Sequence, residues 1–281
     1  MPELHVILDS TVRVSAEFMA RNPRLHIVQL TVRVGEQEWP EEELSCEQLF
    51  EAVKQTGFAP KTSQPSGGEF LRVMQPLAEA GHPMLVITLS GGLSGTVHGA
   101  NAAAKMLPEA RIEVVDSGST SFGMQWLAEA ALQLADQGLE PGEVAGRIRA
   151  MAAATYTFFI PDTLDYLHKG GRIGGASRLI GNILQIRPVL YLVDGKVQIL
   201  DKVRTRTRAI TRILDEIEQY KDLVYVCSAG IGGPAGREAI ATAADSRFEG
   251  VPHFGGEISP VIAAHVGPGT IGMVFQRKVT E

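Results

Sequence analysis

The first half of the chain repeats one arrangement: a short apolar run, a loop rich in Gly, Ser and Thr, and then a helical segment. The apolar runs are residues 4–8, 84–89 and 112–115. Apolar strands that alternate with helices are typical of a parallel sheet with helices on both faces. Ligands of such sheets bind at the carboxyl ends of the strands, where these polar loops lie. The arrangement therefore predicts a parallel sheet with a ligand site at the ends of its strands.

The second half has a different pattern. Asp194-Gly195 separates two apolar runs and predicts a β-hairpin, because Asp-Gly is a strong two-residue turn signal. A helix from about 205 to 220 and a strand at 223–228 are predicted to follow. The uncharged stretch 258–276 is predicted to form strand, turn and strand. Its prolines and glycines would leave the backbone of a membrane helix unsatisfied.

These patterns predict the α/β class, with two α/β domains. The N-terminal domain, residues 1–155, should have a mainly parallel sheet covered by helices and should carry the polar loops. The C-terminal domain, residues 156–281, should have a mixed sheet. The boundary follows an Ala-rich helix that is predicted to end near Ala154.

The composition limits the classes of partner. The formal net charge of −6, from 26 basic and 32 acidic residues, argues against general attraction to nucleic acid or an anionic bilayer. Cys46 and Cys227 are too few and too far apart for a disulfide framework. No signal peptide is expected, because the first residues lack a basic segment followed by an apolar run. We therefore expect a cytoplasmic protein without stable membrane insertion.

Three polar loops, at 62–66, 90–96 and 116–121, combine clustered hydroxyls with a following helix. Capping by one Ser, Thr or Asp, worth about 1 kcal/mol, explains one hydroxyl in each loop. It does not explain the several hydroxyls and glycines of the second loop. Glycine lets backbone N–H groups approach a ligand closely, and the N-terminus of a helix attracts anions. The loops therefore predict an anion site.

A dinucleotide site is one alternative. Gly230 to Ala235 matches G-x-G-x-x-A between a predicted strand and a predicted helix, although Pro234 is unusual in that pattern. A tight strand-to-helix turn also explains the match. No P-loop sequence occurs in the chain, and its histidines and cysteines do not have metal-ligand spacing.

A serine esterase acting on lipid esters is the enzyme alternative. Ser94 would be its nucleophile, but Thr96 replaces the last glycine of the G-x-S-x-G pattern. His265 follows Ser94 in the chain, and Asp162 or Asp165 lies between them, so the order of a catalytic triad is present.

Basic residues form two groups. Lys169-Gly170-Gly171-Arg172 is a cationic loop, and basic residues recur from Lys202 to Arg212 without an acid. Arg204, Arg208 and Arg212 would share one face of a helix that began early. On an acidic protein, this run favours a docking patch or phosphate contact as much as a solvated face.

Short motifs in a specific order and spacing extend over nearly the whole chain. They are Asp9-Ser10-Thr11, Thr62-Ser63-Gln64-Pro65-Ser66, Gly92-Leu93-Ser94-Gly95-Thr96, Asp116-Ser117, the segment 166–173, Lys202-Val203-Arg204 and the segment 267–272. Together they resemble the DegV family, whose members are known as fatty-acid-binding proteins.

This resemblance implies a bacterial protein that binds a long-chain fatty acid such as palmitate, without a cofactor or metal and without catalysis of its own. It implies that the carboxylate meets Thr62, Ser94 and Gly95, with His265 also at the head group. It further implies that an ATP-binding fatty acid kinase phosphorylates the presented acid to an acyl phosphate for phospholipid synthesis. Arg172 and Arg204 are the residues implicated in docking to that kinase.

The acyl chain would need an apolar tunnel, since burial of each methylene contributes about 0.8 kcal/mol. The candidates for its wall, each also explained as ordinary core, are Phe158, Phe159, Ile160, Leu164, Leu179, Ile180, Ile183 and Leu184.

Overall fold

The computed structural model describes residues 3–12, 14–179, 186–231 and 234–279. The strands in these ranges are β1 (His5–Asp9), β2 (Leu25–Val28), β3 (Thr31–Val34), β4 (Gln37–Pro40), β5 (Lys61–Ser63), β6 (Met84–Thr88), β7 (Ile112–Asp116), β8 (Thr155–Ile160), β9 (Arg187–Val193), β10 (Lys196–Val203), β11 (Leu223–Gly230), β12 (His253–Glu257) and β13 (Ile271–Arg277). The α-helices are α1 (Ala16–Arg21), α2 (Cys46–Thr56), α3 (Gly67–Glu79), α4 (Thr96–Lys105), α5 (Phe122–Asp136), α6 (Pro141–Ala153), α7 (Asp165–Lys169), α8 (Arg206–Ile217), α9 (Pro234–Arg247) and α10 (Pro260–Val266).

The predicted parallel sheet is confirmed. It has the order β2-β1-β6-β7, and every neighbouring pair is parallel. Alternate residues of a strand point to opposite faces, so Val6 and Leu8 pack with α5 and α6 while Ile7 packs with α3 and α4. Both faces are therefore buried, which explains why the strands are continuous apolar runs rather than alternating ones.

The predicted mixed sheet is also confirmed. Its order is β10-β9-β8-β13-β11-β12, antiparallel except for the parallel pair β11–β12. The hairpin at Asp194-Gly195 joins β9 to β10, and both turn residues have the positive φ that this turn needs. Helices α8 and α9 cover one face of the sheet.

A third sheet, of order β4-β3-β5, was not predicted. Thr62 and Ser63, which were predicted to lie in a loop, belong to β5 and pair with Val32 and Thr31 of β3. The sequence pattern missed this strand because it is only three residues long and pairs with a distant segment. Helix α2, which was also missed, begins at a Ser45–Gln48 capping box.

The prediction of strand, turn and strand for 258–276 is wrong in its first part. Residues Pro260–Val266 form α10, because Ser259 caps the helix and Pro260 occupies its first turn, where a missing N–H costs nothing. The strand β13 that follows agrees with the prediction. Among the described helices, none combines the length and apolar character needed to cross a bilayer.

Glu41, in a 3₁₀ turn after β4, is a buried carboxylate that joins distant parts of the chain. Its Oε2 atom accepts a hydrogen bond from the Ser10 hydroxyl, and its Oε1 atom accepts one from the backbone N–H of Val261 at 2.8 Å. Burial raises the pKa of Glu41 to about 7. The carboxyl group thus ties the end of β1 and the small sheet to α10.

We expect this carboxyl group to make stability depend on pH. Because the folded-state pKa of Glu41 is raised from its ordinary value of 4.5, its contribution is full below that value and is lost as the pH rises through about 7. Wild-type protein should therefore lose on the order of 2–3 kcal/mol more unfolding free energy between about pH 5 and pH 8 than Glu41→Gln. Urea denaturation across this pH range measures the difference. If the unfolding free energies of the two proteins changed equally with pH, the raised pKa of Glu41 would be contradicted.

Candidate functional site

A cavity of about 360 Å³ lies between the parallel sheet and the mixed sheet. This volume is within the range of small-molecule sites. Its wall combines the ends of β5 and β6, the loop before α5, one face of α10, and strands β8 and β13. The apolar part of the wall is Leu30, Leu89, Leu93, Phe158, Phe159, Leu167, Leu192, Val197, Ala229, Ile258, Val261, Ile262, Val266, Ile271, Met273 and Val274.

One polar contact in the wall joins residues 203 positions apart in the sequence. Thr62 Oγ1, on β5, lies 2.7 Å from Nε2 of His265, on α10. The side chains of both residues face the cavity. Two of the residues that the sequence assigned to a head group are therefore hydrogen-bonded partners.

The imidazole of His265 is held in its neutral form. Burial, together with the positive charge of Arg172, lowers its pKa to about 4. Its Nδ1 atom is buried and has no hydrogen-bond partner among the described residues. A Cβ atom at position 170 would collide with Nδ1, so Gly170 permits this close approach.

Ser94 and Gly95 lie at the start of α4. The Ser94 hydroxyl faces the cavity and lies 2.9 Å from the Thr96 hydroxyl. Gly95 is the N-cap residue, and the Ser94 hydroxyl oxygen accepts a hydrogen bond from the backbone N–H of Thr96 at 3.3 Å. The positive end of the helix dipole and its first N–H groups therefore point toward the region of Ser94. This arrangement favours an anion.

Arg172 and Arg204 occupy different surroundings. Arg172 lines the cavity, where its Nε donates to the Leu93 carbonyl at 3.0 Å and its Nη1 donates to the Gly170 carbonyl at 2.6 Å. Arg204 is exposed and directly follows β10. Because Thr205 caps α8, that helix does not begin early enough for Arg204 to share a face with Arg208 and Arg212.

Comparison with known proteins agrees with this architecture. The family model described as an uncharacterised protein of the DegV family matches residues 3–278. The chain belongs to the DegV family. The resemblance predicted from the motifs is thus confirmed over nearly the entire sequence.

Relatives of this DegV-family chain include proteins that bind lipids. A DegV domain-containing protein of Clostridium acetobutylicum is 34% identical over 263 residues, which cover 89% of this chain and 90% of the relative. A fatty-acid-binding DegV family protein from Thermus thermophilus has 29% identity and a TM-score of 0.88, with 98% of this chain and 100% of that chain covered. A stearic-acid-binding protein from Eubacterium ventriosum has 25% identity and a TM-score of 0.88, with 99% of each chain covered.

The esterase alternative requires a relay from a serine through a histidine to a carboxylate. In this DegV-family chain, His265 bonds Thr62 rather than Ser94, and no carboxylate in the described ranges is hydrogen-bonded to its Nδ1 atom. Asp162 instead forms ion pairs with Arg187 and Arg206. The residues proposed for the triad therefore do not form the relay.

The other sequence candidates have mixed outcomes. Phe158 and Phe159 line the cavity as predicted, whereas Ile160, Leu164 and Leu179 are buried in core clusters outside its wall. Gly230 also lines the cavity. Ile180, Ile183, Leu184, Gly232 and Gly233 lie outside the described residues. Within the described ranges, no group of three His, Cys, Asp or Glu side chains is arranged to hold a metal ion.

Several wall residues were not predicted as part of the site. Arg172 was assigned only to docking. Val261, Ile262 and Val266 were missed because a strand was predicted where α10 forms. Residues 261, 262, 265 and 266, apolar except for His265, recur at helical spacing. A helix with Pro260 in its first turn was therefore the signal available in the sequence.

Proposed function

We propose that this chain binds a long-chain fatty acid, with its carboxylate at Thr62, Ser94, Gly95 and His265 and its acyl chain in the cavity. One observation carries the proposal: the hydrogen-bonded pair of Thr62 and His265 lies in an otherwise largely apolar cavity. The fatty-acid and stearic-acid binding of the two similar structures supports the same ligand class.

Hydrogen bonds could hold the carboxylate without direct contact to a buried cationic side chain. Neutral His265 has one N–H, and we assign it to Nε2, because an unpaired buried N–H costs more than an unpaired acceptor. Nε2–H then donates to Thr62 Oγ1, which leaves the Thr62 O–H free to donate to the carboxylate. The Ser94 hydroxyl, the start of α4 and the nearby charge of Arg172 would add to the stabilisation.

The acyl chain would supply most of the affinity. At about 0.8 kcal/mol per methylene, burial of about a dozen methylenes contributes at most on the order of 10 kcal/mol. Hydrogen bonds to a charged group contribute about 1.5–3 kcal/mol each. The head-group residues therefore act mainly to fix where the carboxylate lies.

Removal of both hydroxyls tests the assignment of the head group. We expect Thr62→Ala combined with Ser94→Ala to weaken palmitate binding by the delipidated protein on the order of 100-fold, because the carboxylate would lose two donors. Isothermal titration calorimetry measures the change. The matched control is Thr242→Ala with Ser246→Ala, on the exposed face of α9. Equal affinity in the two double variants would remove Thr62 and Ser94 from the site.

We further propose that the bound acid is presented to a partner kinase, which would form the acyl phosphate while this chain performs no chemistry itself. The resemblance to the family suggests the partner, and two features of the chain are compatible with it. Lys202 and Arg204 are exposed together at the end of β10. Arg172 lies beside the proposed head group, so it is suited to act on the carboxylate as well as on a partner.

Arg204 provides the cleaner test of docking, because it does not line the cavity. The Arg204→Ala variant should bind palmitate normally. The palmitate that it carries should nevertheless be phosphorylated roughly three- to tenfold more slowly by the host's ATP-dependent fatty acid kinase. Arg111→Ala is the matched control, because Arg111 is exposed just before the amino end of β7, opposite the loops. An unchanged rate for Arg204→Ala would exclude this residue from docking.

A further inference from the structure

Two buried hydroxyls, of neighbouring residues, belong to the cavity wall. Thr120 and Ser121 line the cavity and are 8% and 3% exposed. Neither Thr120 Oγ1 nor Ser121 Oγ has a hydrogen-bond partner among the described residues. His265, in the proposed head-group site, is the other cavity-lining residue with such an unpartnered side-chain atom in these ranges. The remaining unpartnered side chains do not line the cavity.

Helix capping does not account for these hydroxyls. Ser121 is the N-cap residue of α5, where a serine hydroxyl usually accepts a hydrogen bond from the first turn, but it makes no such bond. Its backbone has φ 54° and ψ −123°, a conformation that a residue with a side chain rarely adopts. Strained backbone of this kind is found preferentially at binding sites.

The two hydroxyls belong to a wider polar patch. The hydroxyls of Ser119 and Thr157 lie 3.1 Å apart, and Thr157 also lines the cavity. Thr157 pairs with Val274 in the register of β8 and β13, and a Cβ atom at Gly123 would touch both Ser119 and Val274. The segment 119–123 therefore packs against β13 at the position of Val274.

This patch lies away from the Thr62–His265 pair of the proposed head-group site. The Thr270 hydroxyl donates to the Val266 carbonyl at 2.8 Å, which holds the start of β13 next to His265 on α10. Val274 is four residues beyond Thr270, a distance of about 13 Å along an extended strand. An acid anchored at Thr62 and His265 would thus pass Thr120 and Ser121 along its acyl chain.

A saturated chain would leave both hydroxyls buried without partners, which is unfavourable. We propose that the preferred ligand is an oxygenated fatty acid, whose hydroxyl or keto oxygen along the acyl chain bonds to Thr120 and Ser121. This inference rests on the proposed function and specifies its substrate class. A keto oxygen would accept from both hydroxyls, while a hydroxyl group would donate to one and accept from the other.

The test compares palmitate with hydroxypalmitates that carry the hydroxyl at successive positions, each titrated into delipidated full-length protein. We expect one positional isomer to bind roughly three- to tenfold more tightly than palmitate, as for one or two added hydrogen bonds. Thr120→Val with Ser121→Ala should abolish this preference and bind palmitate more tightly than the wild type. Ser121→Gly, which relieves the positive φ, should reduce the preference without added strain.

The outcomes separate this inference from the proposed function. If no hydroxypalmitate binds the wild type more tightly than palmitate, the inference fails while fatty-acid binding stands. A preference that survives in Thr120→Val with Ser121→Ala also overturns it. If neither palmitate nor any hydroxypalmitate binds, the proposed function fails as well. The control Thr242→Val with Ser246→Ala, on exposed α9, should retain the wild-type preference, and its loss there would also count against the inference. The comparison of palmitate with the hydroxypalmitates in the wild type tests the proposed preference even if a variant does not fold.

Discussion

The hydrogen bond between Thr62 and His265 joins the small sheet to helix α10, and both residues line the cavity. Thr62 lies on a short strand of the small sheet, and His265 lies on the helix that leads into the central strand β13 of the mixed sheet. Glu41 fixes the same helix through the Val261 N–H and reaches the end of β1 through Ser10. A single short helix is thus bonded directly to Thr62 and Glu41 and, through Glu41, linked to the end of β1, and its apolar face forms part of the cavity wall.

The balance of polar and apolar groups in that wall explains the ligand class that we propose. Burial of an ionised carboxylate is costly unless hydrogen bonds replace its hydration. Thr62, Ser94 and the start of α4 could supply such bonds, while the neutral state of His265 avoids a second buried charge. An apolar wall contributes affinity without fixing orientation. The Thr120 and Ser121 hydroxyls would then add selectivity along the acyl chain.

The sequence predicted features that depend on neighbouring residues. The Asp194-Gly195 turn and the buried runs of β1, β6 and β7 carry their own local signals, and both sheets formed as expected. The small sheet was missed because β3 finds its partner β5 about thirty residues later, and such pairing leaves no local pattern. Helix α10 was missed because Pro260 was interpreted as a helix breaker, although proline is favourable in the first turn.

The same difference between local sequence signals and long-range packing applies to the site. The loops at Ser94 and at Thr120 were recognised from clustered hydroxyls, and the motif resemblance joined Thr62 with His265. Two features depend on three-dimensional packing, which a single sequence does not record: Arg172 lines the cavity, and Thr120 and Ser121 have no hydrogen-bond partner within the described part of the chain. The division of the chain at 155/156 and the roles of Thr62, Ser94, Gly95, His265, Arg172 and Arg204 stay predictions.

The central claim is that one long-chain fatty acid occupies the cavity, and native mass spectrometry of gently purified protein tests it most directly. The account predicts that the intact mass exceeds the mass of the chain by that of one long-chain fatty acid, plain or oxygenated, and that organic extraction removes the excess. A protein recovered without any ligand, or one whose excess mass is that of a nucleotide, would contradict it.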